Sequence, residues 1–374
     1  MTADLVQPYA ELVVRVGAAV VPGTVVYLRA DVAHLELARA VAEQAYAAGA
    51  RQVHVDYEDG HVRLSALRHA PDDALREAPR WQFQKLADAE QERAAFIRLT
   101  GSPEPHLFEG VDPARIAAMP VELALESRRV MLGGDVTWTI VAAPNPGWAT
   151  QVFGEPDVDR LWDAVALPLR LHEPDVVGAW TEHRRTLEQR AAALDALDLD
   201  AVRYHGGGTD LTVGLIPGCR WTGGGLVTSD GRTYMPNLPT EEVFTSPDRS
   251  RAEGVAALTR PLVMPRAGSV VEDLVLTFEG GRIVDVQAGS GADVARAEIA
   301  TDEGSDRLGE VSLVDGSSPV RAAGVVFHDT LYDENAGCHV AWGTGFPFAL
   351  PGGGAGLSPE DMTAMGLNLS LIHI

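Results

Sequence analysis

The stretch from Val21 to Tyr57 restricts the fold more than any other part of the chain. V-P-G-T (Val21 to Thr24) opens into the apolar run V-V-Y-L-R (Val25 to Arg29). L-E-L-A-R-A-V-A-E-Q-A-Y-A-A-G (Leu35 to Gly49) then has helical spacing and a glycine stop, and Q-V-H-V-D-Y (Gln52 to Tyr57) alternates as a second strand. Strand, helix and strand in that order predict a parallel pair with a right-handed crossover, because a right-twisted strand feeding a right-handed helix packs back onto its sheet only that way. The turn lacks a glycine-rich phosphate fingerprint, which disfavours dinucleotide binding. His54 and Asp56 alternate onto one face and read as strand-edge residues.

An amphipathic helix (Leu5 to Val16) precedes this unit, and helical spacing follows it from Pro71 to Ala78 and from Trp81 to Leu99. D-V-T-W-T-I-V-A-A-P (Asp135 to Pro144) predicts a strand ended by proline, and Asp157 to Leu199 reads as helical, with a solvated charged face that includes His183. After Asp200 the chain turns to short alternating runs and Gly-Gly turns, which predict a mostly antiparallel sheet with a helix near Asp293 to Ala300. Gly206 to Gly208 reads as a tight turn into the strand Leu211 to Leu215, since no helix pattern follows it. The expected fold is therefore an α/β domain over residues 1–199, a parallel sheet with flanking helices, joined to an α+β domain over residues 200–374 with a mostly antiparallel sheet.

Charge narrows the partners. A formal net charge of -23 argues against nucleic acid and against anionic membranes, both of which need basic patches to displace counterions. No apolar run approaches a membrane span, and M-T-A-D-L-V lacks the basic start of a signal peptide, so the expected compartment is the cytoplasm. Cys219 and Cys338, the only cysteines, fit a reducing compartment and read as small core residues. Lys85 is the only lysine, so there is no P-loop G-K-[ST].

Chemistry concentrates in the last third. T-L-Y-D-E-N-A-G-C-H-V-A-W-G-T-G-F (Thr330 to Phe346) sets Asp333, Glu334 and His339 between apolar flanks, and buried charges must be paired, hydrogen-bonded or metal-bound. P-T-E-E-V-F-T-S-P (Pro239 to Pro247) and R-L-G-E-V-S-L-V (Arg307 to Val314) each put a glutamate directly before an apolar stretch, and N-L-S-L-I-H-I (Asn368 to Ile374) holds a further histidine. H-E-x-x-H, G-x-S-x-G and C-x-x-C are all absent, which removes helical single-zinc proteases, elbow-type serine hydrolases and thiol redox enzymes. Glu242, Glu310, Glu334, His339 and His373 remain as scattered oxygen and imidazole donors. They are open to two readings: a divalent-cation site, or a solvated turn followed by strands with satisfied histidines.

These runs, with G-T-D-L-T-V-G-L and the N-terminal Y-A-E-L-V-V, V-P-G-T and Y-A-A-G-A, resemble in fixed order the signatures of the thermophilic-type metallo-aminopeptidases, peptidase family M29. The resemblance spans nearly the whole chain. It implies a homodimer that removes N-terminal residues from peptides through water activated by two divalent ions, zinc, cobalt or magnesium. Glu242, Glu310, His339 and His373 would be ligands, with Glu310 bridging. Glu310 or Glu334 would carry the proton to the departing amine.

Two departures stand against this likeness. The family pattern places an aspartate two positions after the last histidine, and the sequence ends at Ile374, one residue short, so a C-terminal truncation is expected. Phe346 stands where the family often has a tyrosine, and phenylalanine has no hydroxyl to donate. Both departures feed the alternative expectation of a non-catalytic peptide- or metal-binding relative.

Overall fold

The computed structural model describes residues 2–264, 269–354 and 356–373. Its chain falls into two compact units. One comprises Met1–Arg184, Gly225–Thr240 and Pro319–Phe327, the other Arg185–Gly224, Glu241–Ser318 and His328–Ile374. The chain thus passes between units several times, where sequence patterning suggests a single boundary after residue 199.

The first unit is built on a parallel sheet. Val25–Asp31 lies between Gln52–Glu58 and Ala95–Thr100; Thr137–Ala142 and the short strand Asn237–Leu238 complete the order. Val26, Leu28, Ile97 and Val141 share one face of the sheet and are buried there, while Arg29 and Arg98 on the other face are exposed. Gln52–Glu58 is the sheet edge, and His54 and Asp56 sit on it as strand-edge residues.

Several boundaries differ from the periodicity reading. Helical spacing over Trp81 to Leu99 covers two elements: the helix Arg80–Gln91 and the strand Ala95–Thr100. Arg93 between them has φ of +51°, which ends the helix, and burial of Ala95, Ile97 and Leu99 makes the following run a strand. Pro71 to Ala78 forms only the 3-10 turn Ala74–Arg76, since so short a segment between two prolines does not repay helix nucleation. The helical region after Asp157 is two helices, Val158–Ala166 and Val176–Asp195. The helix Gly60–His69 carries no strong apolar stripe, so periodicity does not reveal it.

The second unit is antiparallel. One sheet runs Arg282–Gln287, Val275–Glu279, Pro247–Ala257, Thr209–Leu215 and Ala201–Gly206 in spatial order, its last two strands joined by the expected tight turn. The helix Ala292–Ile299 lies within one residue of its expected bounds. A smaller sheet holds Leu308–Val314 between Glu242–Thr245 and His339–Trp342. Val243, Val311 and Trp342 from this small sheet are buried with Val213, Leu276 and Phe278 in one core cluster. Neither cysteine is a fully buried core residue: Cys219 is half-buried and Cys338 exposed.

The central strand of the small sheet slips register between Leu308 and Glu310. Gly309 sits at the slip, and a Cβ there would run into the Thr344 carbonyl oxygen. Gly309→Ala is therefore expected to destabilise the fold by roughly 1–3 kcal/mol, the usual penalty for overpacking, read as a lower urea midpoint with unchanged slope.

Candidate metal centre

Side chains alternate across a strand, so residues two apart share a face. In the small sheet this puts Glu242 and Phe244, Glu310 and Ser312, and His339 and Ala341 on the face opposite Val243, Val311 and Val340. Register does the rest: Ser312 pairs with Phe244 on one side and His339 on the other, while Glu310 pairs with Ala341. Glu242, Glu310 and His339 each offer a ligand atom, and those atoms all lie within 4.8 Å of one another. Glu242 and Glu310 are 5% and 6% exposed.

His373 arrives from a separate segment. It bridges to Gly343, and Thr344 and Gly345 donate backbone N–H groups to Ile372 and Asn368. Asn368 fixes the approach by donating its amide to the Gly304 and Gly343 carbonyls at 2.7 and 2.5 Å. Gly343, at φ of +105°, leaves room for the Ile372 carbonyl where a Cβ would collide.

Both imidazoles are oriented in the same way. His373 Nδ1 is 2.8 Å from the Thr344 carbonyl and His339 Nδ1 is 3.1 Å from that of Gly337. Each Nδ1 thus donates to backbone, which turns Nε2 toward the carboxylates, the arrangement usual for histidines that ligate a metal. His339 Nε2 lies 2.9 Å from Glu242 Oε2 and 3.6 Å from Glu310 Oε1; His373 Nε2 lies 2.9 Å from Glu310 Oε2. Each oxygen of Glu310 therefore faces a different histidine. Ser312 Oγ donates to Glu242 Oε2 at 2.7 Å.

Electrostatics match this geometry. Burial opposes charge on both histidines, yet the hydrogen bonds that Glu242 and Glu310 accept hold His339 well above the ordinary imidazole range, and Glu310 raises His373 in the same way. Burial would raise Glu310, but the two imidazoles outweigh it and hold the carboxyl below its usual range. Glu334 is pushed well above the carboxylate range by burial and by the charges of Glu242 and Glu310, with His339 pulling the other way. Its turn is tied to the Glu242 strand by Asn335, whose Oδ1 accepts from the Glu241 N–H at 2.7 Å. A surplus of carboxylates in a buried cluster, with imidazole Nε2 atoms aimed into it, fits a divalent cation held by mixed oxygen and nitrogen donors.

The expected residues thus sort by position. Glu242, Glu310 and His339 come together, His373 joins them through Glu310, and Glu334 stands within their field. Asp333 does not take part: its Oδ1 accepts from Arg260 at 2.7 Å in a buried ion pair. His183 bonds the Thr240 carbonyl at 2.8 Å and packs on Trp180. Sequence reading passes over Ser312 and Phe244, although each stands two residues beyond a glutamate in a strand and so shares its face. Phe346 lies with its ring 5.0 Å from the His373 imidazole.

Nearby, Asp329 Oδ1 is buried with no hydrogen-bond partner among the described residues, and burial together with Asp333 pushes its carboxyl up to about 7. Between the unfolded value near 4 and the folded value, the folded state keeps a proton that the unfolded chain has released, so stability falls as pH rises through that window. Asp329→Asn is expected to remove this loss, worth a few kcal/mol at about 1.4 kcal/mol per pH unit. Thermal unfolding of both proteins from pH 5 to pH 8 checks it: the variant's advantage grows with pH.

The sequence profile described as "Thermophilic metalloprotease (M29)" matches residues 2–374. Aminopeptidase T of Thermus thermophilus is 40% identical over 375 residues, covering 98% of this chain and 90% of that protein. Aminopeptidase AmpS of Bacillus subtilis is 37% identical over 373 residues, with the same two coverages of 98% and 90%. The solved structure titled "Wild-type AmpT from Thermus thermophilus" superposes with a TM-score of 0.88 at 37% identity, over 100% of this chain and 92% of that one.

Proposed function

Because this chain belongs to the thermophilic metalloprotease family M29 and is a peptide hydrolase, we propose that it removes the N-terminal residue from peptides with two divalent cations. Glu242, Glu310, His339 and His373 would hold them, in the second unit, which takes in most of the expected catalytic region 200–374. The observation that carries this reading is the Glu242, Glu310 and His339 ligand atoms lying within 4.8 Å of one another, with His373 Nε2 2.9 Å from Glu310. Mixed carboxylate and imidazole donors suit zinc or cobalt better than magnesium. The relatives named aminopeptidases support the exopeptidase half of the proposal.

Cations held there would supply Lewis acidity, to make water more acidic and to polarise a peptide carbonyl. The chain's own groups do the remaining work. Glu310 turns one oxygen to each imidazole, the disposition a bridging carboxylate needs. Backbone carbonyls hold Nδ1 of both histidines and so fix their ring planes. Ser312 steadies Glu242 by donating to Oε2. Glu334 lies outside the closest ligand trio, and we assign it the proton transfer to the departing amine, with Glu310 the other candidate. The cytoplasm as compartment, expected from the sequence, and a homodimer as assembled state, on the family likeness alone, complete the reading.

A second reading, a peptide- or metal-binding relative without catalysis, is favoured by one observation: the ring of Phe346 lies against His373 and brings no hydroxyl to the cluster. One experiment separates the two. Chelator-treated protein titrated with zinc or cobalt in a calorimeter is expected to show two sites and to regain leucyl-arylamide hydrolysis. Glu310→Gln should weaken metal uptake and lower kcat/KM by about 10²–10⁴-fold. Metal uptake without hydrolysis by the wild type would support the second reading, and an unchanged rate in Glu310→Gln would refute the role of that carboxylate.

A further inference from the structure

Beside the carboxylate and imidazole cluster the second unit carries three aromatic rings. Phe346 and Phe348 stack with centroids 5.1 Å apart and planes 18° from parallel. Phe244 meets them edge-on at 5.2 and 6.2 Å. Phe346 adjoins His373 at 5.0 Å, and Phe244 is two residues from Glu242 and opposite Ser312. The wall therefore runs along the same sheet face as the candidate ligands.

All three rings are half-buried. An aromatic cluster whose only role was to fill a core would be closed to solvent; rings left partly open beside convergent polar groups are the usual lining of a small-molecule pocket. The backbone also fixes them. Phe346 N–H donates to Ser246 Oγ at 2.8 Å, and Gly345 sits so close to Ser246 and Leu367 that no Cβ fits. Pro347–Ala349 forms a 3-10 turn that presents Phe348 against Phe346. Rings held this way lose little freedom when a ligand arrives.

We infer that Phe244, Phe346 and Phe348 form the pocket for the side chain of the substrate's N-terminal residue, and that this pocket selects large apolar side chains over small or charged ones. The inference rests on the aminopeptidase reading. An aliphatic or aromatic side chain exchanges water for ring contacts, whereas an acidic one must leave water without a partner. A lysine ammonium drawn to the ring faces is the competing occupant.

The test measures kcat/KM for leucyl-, phenylalanyl-, alanyl- and lysyl-arylamides with zinc-loaded wild type, Phe348→Ala and Phe348→Leu. Leucyl and phenylalanyl substrates are expected to exceed alanyl by at least about tenfold, a discrimination that apolar pockets commonly reach. Phe348→Ala should bring that ratio to within about threefold, with the larger loss on the leucyl and phenylalanyl substrates, and Phe348→Leu should fall between. A second arm titrates L-leucine and glycine into the same proteins by calorimetry: leucine is expected to bind at least about tenfold tighter to wild type only. Equal binding, a preference for lysine, or an unchanged ratio in a folded Phe348→Ala would overturn the pocket. Selective leucine binding without hydrolysis of any amide would support the pocket and sink the aminopeptidase reading instead.

Discussion

Carboxylates and imidazoles taken out of water must answer one another's charge, and in the second unit Glu310 does so for two histidines at once. Its Oε1 lies 3.6 Å from His339 and its Oε2 2.9 Å from His373. The strand that carries it is the middle one of three, so both neighbouring strands can bring partners to it. The opposite face of that strand enters the main apolar core through Val311 and Leu308. Core packing therefore sets the position of a buried charge that faces both imidazoles, and the charge in turn has somewhere rigid to stand. That coupling explains why Gly309 lies at a register slip: the strand must pass under the Thr344 carbonyl before it presents Glu310.

The surrounding scaffold serves to bring in donors from far along the chain. Asn368 spends its side-chain amide on backbone carbonyls of two different segments, which docks the Asn368 to His373 stretch beside Gly343. Asn335 plays the same part for the turn that holds Glu334, accepting from the Glu241 N–H and donating to the Leu331 carbonyl. Two buried amides thus hold the two segments that are not strands of the small sheet. Both amide nitrogens and the Asn335 oxygen bond to backbone groups, so these contacts leave the carboxylates available to the imidazoles or to a cation.

Much of this is legible in the letters, and the reasons differ by element. The Val25 strand, the Leu35 helix and the Gln52 strand form from local periodicity and punctuation, so their parallel pairing can be expected before any coordinates. The strand Ala95–Thr100 is not legible, because its short run follows the helix Arg80–Gln91 with no glycine or proline between and its apolar residues continue the helical spacing before it. In the second unit, alternation with Gly-Gly turns announces the antiparallel sheet. Asp333 stands with its neighbours as a chemical group in the sequence, yet Arg260, far away along the chain, claims its carboxylate. Nothing in the local run could show that pairing.

The sequence by itself determined which residue types were available and which strands would present them, since helix and strand periods and the order of the glutamate and histidine runs are local properties. It also determined, through likeness across nearly the whole length, the family to which the chain belongs. Only tertiary structure decided that Glu310 faces two imidazoles, that Ser312 serves Glu242, and that three phenylalanines gather beside His373. Those facts depend on strand register and on chain segments meeting across long separations, and distance in space is not encoded in any short stretch of residues.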